Sequence, residues 1–164
     1  MPRTVFFSFH YDRDAWRAAQ VRGAAHLPSG NARGRFRDGV AWESIRRQSE
    51  AAIRRWIDDQ LMGTGVTVVL VGQETASRPF VRYEIEQSRR RGNGMLGVRV
   101  HSIPSYVGPS MTVDRPGLDP FAAVSDPLRP GFTLAGLYPT YDWEPSGRAQ
   151  LASWIDAAAR AVGR

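Results

Sequence analysis

Residues 66–71 read VTVVLV, a nearly continuous β-branched run in which Thr67 is the only polar residue. A strand that faces solvent on one side alternates polar and apolar residues, whereas a strand covered on both faces does not. Gly65 precedes the run and Gly72 follows it, so both of its ends are marked by residues that break regular structure. The segment therefore predicts a parallel strand buried inside an α/β fold.

The segments on either side extend this pattern. Val5 to Phe9 (VFFSF) and Met95 to Val100 (MLGVRV) are short apolar runs of the same kind. Apolar residues at helical spacing predict one long helix from about Ala41 to Leu61 and a second helix that begins at Pro79 and stops at Gly92. Strand, helix, strand, helix and strand predict an α/β sheet with right-handed crossovers, and 164 residues fit a single domain, 1–164.

Other segments are less regular. Asp14 is expected to cap a short helix that runs to about Val21, with Trp16 and Ala19 facing inward. Gly23 to Gly39 contains four glycines and no hydrophobic period, which predicts a long loop.

The last third of the chain changes character. Residues 103–131 contain six prolines and predict mostly loop. Phe132 to Leu137 is the expected last strand, and Ser146 the expected cap of a C-terminal helix. The apolar stripe of that helix consists of Leu151, Trp154, Ile155, Ala158 and Val162.

Two residue types are missing from the chain. It contains no cysteine, which excludes thiol catalysis, disulfides and thiolate metal sites, and no lysine, so all 22 cationic side chains are arginine. The missing lysine excludes a P-loop, a Schiff-base enzyme and a phospho-receiver domain. No apolar run reaches the roughly 18–20 residues of a membrane span, and the N-terminus lacks a signal-peptide layout, so we expect a soluble cytoplasmic protein.

The net charge of +6 favours anionic partners, and nucleic acid is one of them. The arginines are dispersed along the chain, however, and the densest groups are Arg33, Arg35, Arg37 and Arg89 to Arg91. Solvated helix and loop faces explain most of them, so we do not expect nucleic acid to be the main ligand.

Polar residues follow the predicted strands. In an open parallel sheet, ligands bind where strands end at their carboxyl side. The available ends are Ser8 to Asp14, Gly72 to Arg78, and His101 onward. Glu84 lies in the second turn of the helix after the second of these ends, so it could face the same crevice. The alternative is a solvated carboxylate at the helix edge that pairs with an arginine.

Metal and histidine chemistry receive less support. His10, Asp12 and Asp14 form an H-x-D-x-D pattern, but alternation points such residues to different sides, so no metal site is predicted. His101 is more typical of a half-buried structural histidine than of a base.

Several segments in this order resemble the TIR-like domain family that includes the TIR proteins of the Thoeris anti-phage defence system. They are VFFSFHYDRD (5–14), IRRWIDDQLMGTGVTVVLVG (53–72), ETASRPFVRYEIEQS (74–88), GNGMLGVRVH (92–101), DPF (119–121), YDW (141–143) and WIDAAA (154–159). The resemblance implies a flavodoxin-like parallel sheet with helices on both faces. Many TIR proteins cleave NAD between nicotinamide and ribose with a glutamate four residues after a tryptophan. Phe80 and Glu84 match this spacing, with phenylalanine in place of the tryptophan.

The resemblance thus implies that Glu84 is the catalytic carboxylate. It places the nucleotide site at Phe80 and at the strand exit formed by Ser8, His10, Tyr11, Asp12 and Arg13. The expected substrate is NAD, with no separate cofactor, and the expected product is a cyclic or conjugated ADP-ribose signal for a downstream effector. Self-association is also expected. The alternative is a TIR-like interaction module without catalysis.

Overall fold

The structure, a computed structural model, describes residues 3–24, 32–35, 39–107 and 110–164. Its helices are α1 (Tyr11–Ala24), α2 (Gly39–Ile45), α3 (Glu50–Leu61), α4 (Pro79–Arg90) and α5 (Gly147–Ala161). Its strands are β1 (Arg3–Ser8), β2 (Ala32–Arg35), β3 (Val66–Val71), β4 (Gly94–Arg99), β5 (Ser105–Val107), β6 (Ser110–Thr112) and β7 (Thr140–Asp142). No described helix is long and apolar enough to cross a bilayer.

Five strands form one sheet in the order β2-β1-β3-β4-β7, and every neighbouring pair is parallel. Strands β5 and β6 form a separate antiparallel hairpin. The large sheet has the flavodoxin-like strand order, in which the direction of winding reverses between the first and third strands. The predicted fold class is therefore confirmed.

Helices cover both faces of this sheet because side chains alternate along each strand. Val5 and Phe7 of β1 pack in one apolar cluster with residues of α1 and α5, such as Val21 and Ile155. Phe6 points to the opposite face, where it packs against α2 and α3. Helix α4 lies on that second face, with Val81 and Ile85 against Val69 of β3.

Two predicted elements agree closely with the structure. The VTVVLV segment is β3, buried along its whole length between β1 and β4. Helix α4 starts with Pro79 in its first turn, and Gly92 follows its end with a positive φ of 70° that suits glycine.

The prediction for the first helix was wrong in its start and its orientation. Helix α1 already begins at Tyr11, and Asp14 lies within it as a buried residue. Trp16 and Ala19 are exposed rather than inward. Buried Arg17 takes an inward position instead, because two carboxylates neutralise its charge.

The predicted loop from Gly23 to Gly39 contains strand β2, which pairs with β1 at the edge of the sheet. Residues 25–31 and 36–38 lie outside the described residues. The single helix expected from Ala41 to Leu61 is two helices, α2 and α3. Ser49 begins the second one, because its side chain accepts a hydrogen bond from the backbone N–H of Ala52.

The last strand is also in a different place. The sheet ends with β7 at residues 140–142, whereas in the 132–137 segment only Thr133 forms a β-bridge, with Ser125. The mostly irregular 103–131 segment contains β5 and β6. Ser146 precedes α5 but makes no side-chain capping bond, and the end of the predicted stripe, Val162, is 39% exposed.

Gly94 tests the packing between β4 and α5. A Cβ at this position would collide with the backbone carbonyl of Ala158, which cannot move independently of its helix. We expect Gly94→Ala to lower the free energy of unfolding by roughly 1–3 kcal/mol, as overpacking does. Gly65 is the matched control at the same end of the sheet, since the nearest atom to an added Cβ there is 3.8 Å away in the Arg164 side chain. Urea unfolding of both variants measures the effect, and equal stabilities would contradict this packing.

Candidate functional site

A pocket of about 270 Å³ lies where β1 and β3 end at their carboxyl sides, the point at which the sheet reverses direction. We call it the aromatic pocket. It is lined by residues that follow β1, by residues of α2 and its end, and by the first turn of α4; they include Tyr11, Trp42, Arg46, Arg78 and Phe80. Three different segments therefore build one concave site.

Aromatic rings form its wall. The Trp42 ring lies 6.4 Å from the Tyr11 ring and 6.1 Å from the Phe80 ring, the latter in an edge-to-face arrangement. Such pairs are favourable because the ring edge is positive and the ring face negative. Helix α2 matters here because it brings Trp42 over the strand end.

Glu84 lies one helical turn beyond Phe80, and its side chain is fully buried. The Ser8 hydroxyl, itself fully buried, donates a hydrogen bond to the Glu84 Oε2 atom. Alternation along β1 explains the contact, because Ser8 points to the same face as Phe6, the face that α4 covers. The alternative of a solvated carboxylate at the helix edge is therefore wrong.

The rotation of α4 is fixed by a second polar contact on the same helix face. The Ser88 hydroxyl donates to the Glu84 carbonyl oxygen and lies 2.7 Å from the Thr67 hydroxyl of β3. These hydroxyls are buried and satisfied, as buried polar groups must be. The contact keeps Glu84 directed toward β1.

A second pocket of about 380 Å³, which we call the polar pocket, adjoins the first, and His10 and Asp12 line both. Arg13 donates from Nε and NH2 to Asp114, at 2.7 and 3.0 Å. This hydrogen bond from Arg13 holds the pKa of the Asp114 carboxyl below its ordinary value. Asp114 follows the β5–β6 hairpin, so the ion pair ties the hairpin to α1.

Arg17 continues this network into the protein. It is buried and donates to Asp14 at 2.9 Å and to Asp114 at 3.0 Å. Burial raises the pKa of the Asp14 carboxyl, and the bond from Arg17 only partly offsets that shift. The absence of a side chain at Gly72 leaves room for the Asp14 carboxylate beside the end of β3.

The boundary between the two pockets is a ridge formed by His10, Glu74 and Arg78. The Glu74 carboxylate lies 3.4 Å from Arg78 NH2 and 3.8 Å from His10 Nδ1. Burial lowers the pKa of His10, and the neighbouring Arg78 charge lowers it further. The lowered pKa favours the neutral imidazole at pH 7, so the fixed positive charge of the ridge resides on Arg78.

The structure brings the sequence-predicted site residues together, but in four different settings. Tyr11 and Phe80 line the aromatic pocket, and His10 and Asp12 lie between the pockets. Arg13 faces the polar pocket instead. Ser8 and Glu84 touch each other beneath the surface and line neither pocket.

Sequence reasoning missed Trp42, Arg46 and Asp114. The start signal at Ser49 could have separated α2 from α3 and thereby suggested that Trp42 and Arg46 lie near the sheet edge. No sequence pattern identifies Asp114 as a site residue, because the β5–β6 hairpin brings it to the polar pocket only in the folded protein. Within the described ranges, no three His, Asp or Glu side chains cluster in a way that could hold a metal ion.

Fold and site together define a class of protein: a parallel α/β domain of flavodoxin-like strand order with a candidate ligand site at its switch point. The sequence profile of the family described as "Thoeris protein ThsB, TIR-like domain" matches residues 6–105, more than half of the chain. The chain therefore belongs to this family, and the resemblance found in the sequence is confirmed.

A relative of known name agrees with this assignment. The chain is 34% identical over 122 residues to a protein of Bacillus cereus (strain MSX-D12) named "Putative cyclic ADP-D-ribose synthase ThsB1". The alignment covers 74% of this chain and 62% of the relative, so the chain spans less than two thirds of that protein's length.

The Ser8 hydroxyl is predicted to stabilise the fold through Glu84. Removing it takes a hydrogen-bond donor from a buried carboxylate, so Ser8→Ala should lower the free energy of unfolding by about 1–3 kcal/mol. Exposed Ser125 is the control, and its change to alanine should stay within about 0.5 kcal/mol. A double-mutant cycle with Glu84→Gln, followed by urea unfolding, measures the coupling of the pair. Additive effects would contradict the contact.

His10 is predicted to titrate below its ordinary pKa of 6.5. The unfolded chain then binds the proton more readily, so His10 lowers the stability as pH falls from 6.5 toward the folded pKa. Arg78→Gln should raise the pKa of His10, because the Arg78 charge is, after burial, the next largest cause of the shift. Titration by NMR follows the imidazole directly, and a His10 pKa above 6.5 in the unchanged protein would contradict this environment.

Proposed function

We propose that the chain cleaves NAD at the bond between nicotinamide and ribose and forms a cyclic or conjugated ADP-ribose. The observation that carries the proposal is the buried Glu84 carboxylate, held by Ser8 one helical turn from the pocket residue Phe80. A buried carboxylate costs stability unless its charge is compensated, so a purely structural domain gains nothing from one here. The name of the Bacillus relative supports the same reaction class.

The reaction uses the charge of Glu84. When the glycosidic bond breaks, its electron pair leaves with the nicotinamide ring nitrogen, which becomes neutral, and the ribose becomes oxocarbenium-like. A carboxylate close to the ribose stabilises that positive charge, as carboxylates do in glycosidases. Attack by water gives ADP-ribose and a proton. Attack by a ring nitrogen or hydroxyl of the same molecule gives a cyclic isomer and a proton.

Access to Glu84 requires a local rearrangement. The carboxylate is fully buried in this conformation and is not among the residues that line the aromatic pocket. NAD binding therefore has to move neighbouring side chains before the ribose can reach Glu84. The expected self-association of the domain would supply that movement, so activity should be measured on concentrated protein.

The remaining expectations belong to the same proposal. NAD is the substrate and no further cofactor takes part. The product signals to a downstream effector in anti-phage defence, and the reaction takes place in the cytoplasm. The second candidate is a non-catalytic interaction module, which is favoured by the inaccessibility of Glu84 to ligands in this conformation.

Glu84→Gln keeps the shape of the side chain and removes its charge, so it should reduce nicotinamide release by roughly a hundredfold or more. Glu86→Gln is the matched control, because Glu86 lies on the same helix, pairs with Arg90 and is 38% exposed. We expect it to retain activity within about twofold. Chromatography and mass spectrometry of concentrated protein incubated with NAD identify the products. Nicotinamide release that survives in Glu84→Gln would eliminate the proposed role, and no release from the unchanged chain would favour the interaction module.

A further inference from the structure

The two pockets are parts of one elongated cleft. They share His10 and Asp12, and they cross the carboxyl ends of β1 and β3 side by side. Their volumes, about 270 and 380 Å³, each lie near the lower end of the roughly 300–1,000 Å³ found for ligand sites. A dinucleotide has two bulky ends joined by a diphosphate, so its shape requires both pockets and a cationic crossing between them.

The crossing is the ridge that carries Glu74. Its carboxylate lies between two arginines, 3.4 Å from Arg78 NH2 and 3.7 Å from Arg13 NH1. Charge-assisted hydrogen bonds to guanidinium groups are normally about 2.7–2.9 Å long. Glu74 is thus a loosely held counterion shared by two cations, and its side chain is 37% exposed.

Both arginines retain donors for another anion. Arg13 uses Nε and NH2 for Asp114, and its NH1 has only the long contact with Glu74. The Arg78 side chain is 42% exposed, and the 3.4 Å contact of its NH2 with Glu74 is the only hydrogen bond that its guanidinium donates to the described residues. Arg46 differs, because its NH1 is already bound by Asp12 at 2.7 Å and by Glu43 at 3.0 Å.

We propose that the diphosphate of a dinucleotide binds across this ridge between Arg13 and Arg78 and displaces the Glu74 carboxylate. Glu74 is then an internal competitor that sets the affinity of the site for anions. The choice of NAD as the dinucleotide rests on the proposed function. In this orientation the nicotinamide ribose enters the aromatic pocket, next to Phe80 and above Glu84, and the adenosine end enters the polar pocket.

The competing explanation is that Glu74 and Arg78 are an ordinary surface pair four residues apart, of the kind that contributes little. The chain offers a matched pair for comparison. Glu86 and Arg90 have the same spacing, with exposures of 38% and 51% against 37% and 42% for Glu74 and Arg78. Matched substitutions in the two pairs change the net charge equally. Any difference between their effects on Kd therefore reports the position of the pair rather than its charge.

The test is calorimetric binding of ADP-ribose and, separately, inorganic pyrophosphate to the full chain. Glu74→Gln removes the competing carboxylate and should lower Kd by roughly three- to tenfold. Arg78→Gln removes a phosphate donor and should raise Kd about tenfold or more. Glu86→Gln and Arg90→Gln should stay within about twofold. The distinguishing result is that Glu74→Gln and Arg78→Gln, two changes in one ion pair, shift Kd in opposite directions.

Three outcomes would overturn the inference: equal effects of Glu74→Gln and Glu86→Gln, weaker binding after Glu74→Gln, or no binding of either ligand to the unchanged chain at millimolar concentration. Nicotinamide release measured on the same proteins separates this inference from the proposed function. Ligand binding with the expected signs but no release from NAD would leave the anion site standing without the activity. Nicotinamide release that depends on Glu84 but not on Glu74 or Arg78 would support the proposed activity and contradict the proposed anion site.

Discussion

The contact between Ser8 and Glu84 is the constraint on which the candidate site depends. It joins the last residue of β1 to the middle of α4, two elements that are 76 residues apart in the chain. A carboxylate in this position needs a donor because burial removes its water. Ser8 supplies that donor only if β1 keeps its register and α4 keeps its rotation. The apolar packing of Val81 and Ile85 and the Ser88–Thr67 contact hold the helix in that rotation. The position of the candidate catalytic carboxylate and the packing of the fold therefore both depend on the contact between β1 and α4.

The elements that the sequence predicts well are those whose pattern reflects burial on their own. VTVVLV could be assigned as a central strand because both of its faces are apolar, and α4 because proline and glycine mark its ends. Strand β2 was missed for the opposite reason, since ARGR has no apolar pattern and pairs on one side only, as an edge strand. Strand β7 has three residues and joins the sheet through contacts with β4, which no local pattern records. These errors follow from tertiary pairing overriding local preference.

The candidate site shows the same division. The spacing of Phe80 and Glu84 pointed to the right helix face, but the sequence could not show that Glu84 lies at the centre of that face rather than at its border. Ser8 was expected to line a nucleotide site and instead supports the carboxylate from below. Asp114 and Trp42 reach the cleft through a hairpin and a separate short helix, so their roles depend on chain crossings that arise only in the folded protein.

The electrostatics of the cleft follow from the way this lysine-free chain distributes its arginines. Arg89 and Arg129 bind Asp126 and hold the pKa of its carboxyl far below the ordinary value, and Arg17 is enclosed by Asp14 and Asp114. These three arginines are thus committed to internal carboxylates. The ridge differs, because its ion pairs are long and leave donors unused. A guanidinium keeps its charge at every physiological pH and presents a rigid fork, so its affinity for an anion is governed by competing carboxylates rather than by protonation. At this site Glu74 is the carboxylate that contacts both Arg13 and Arg78.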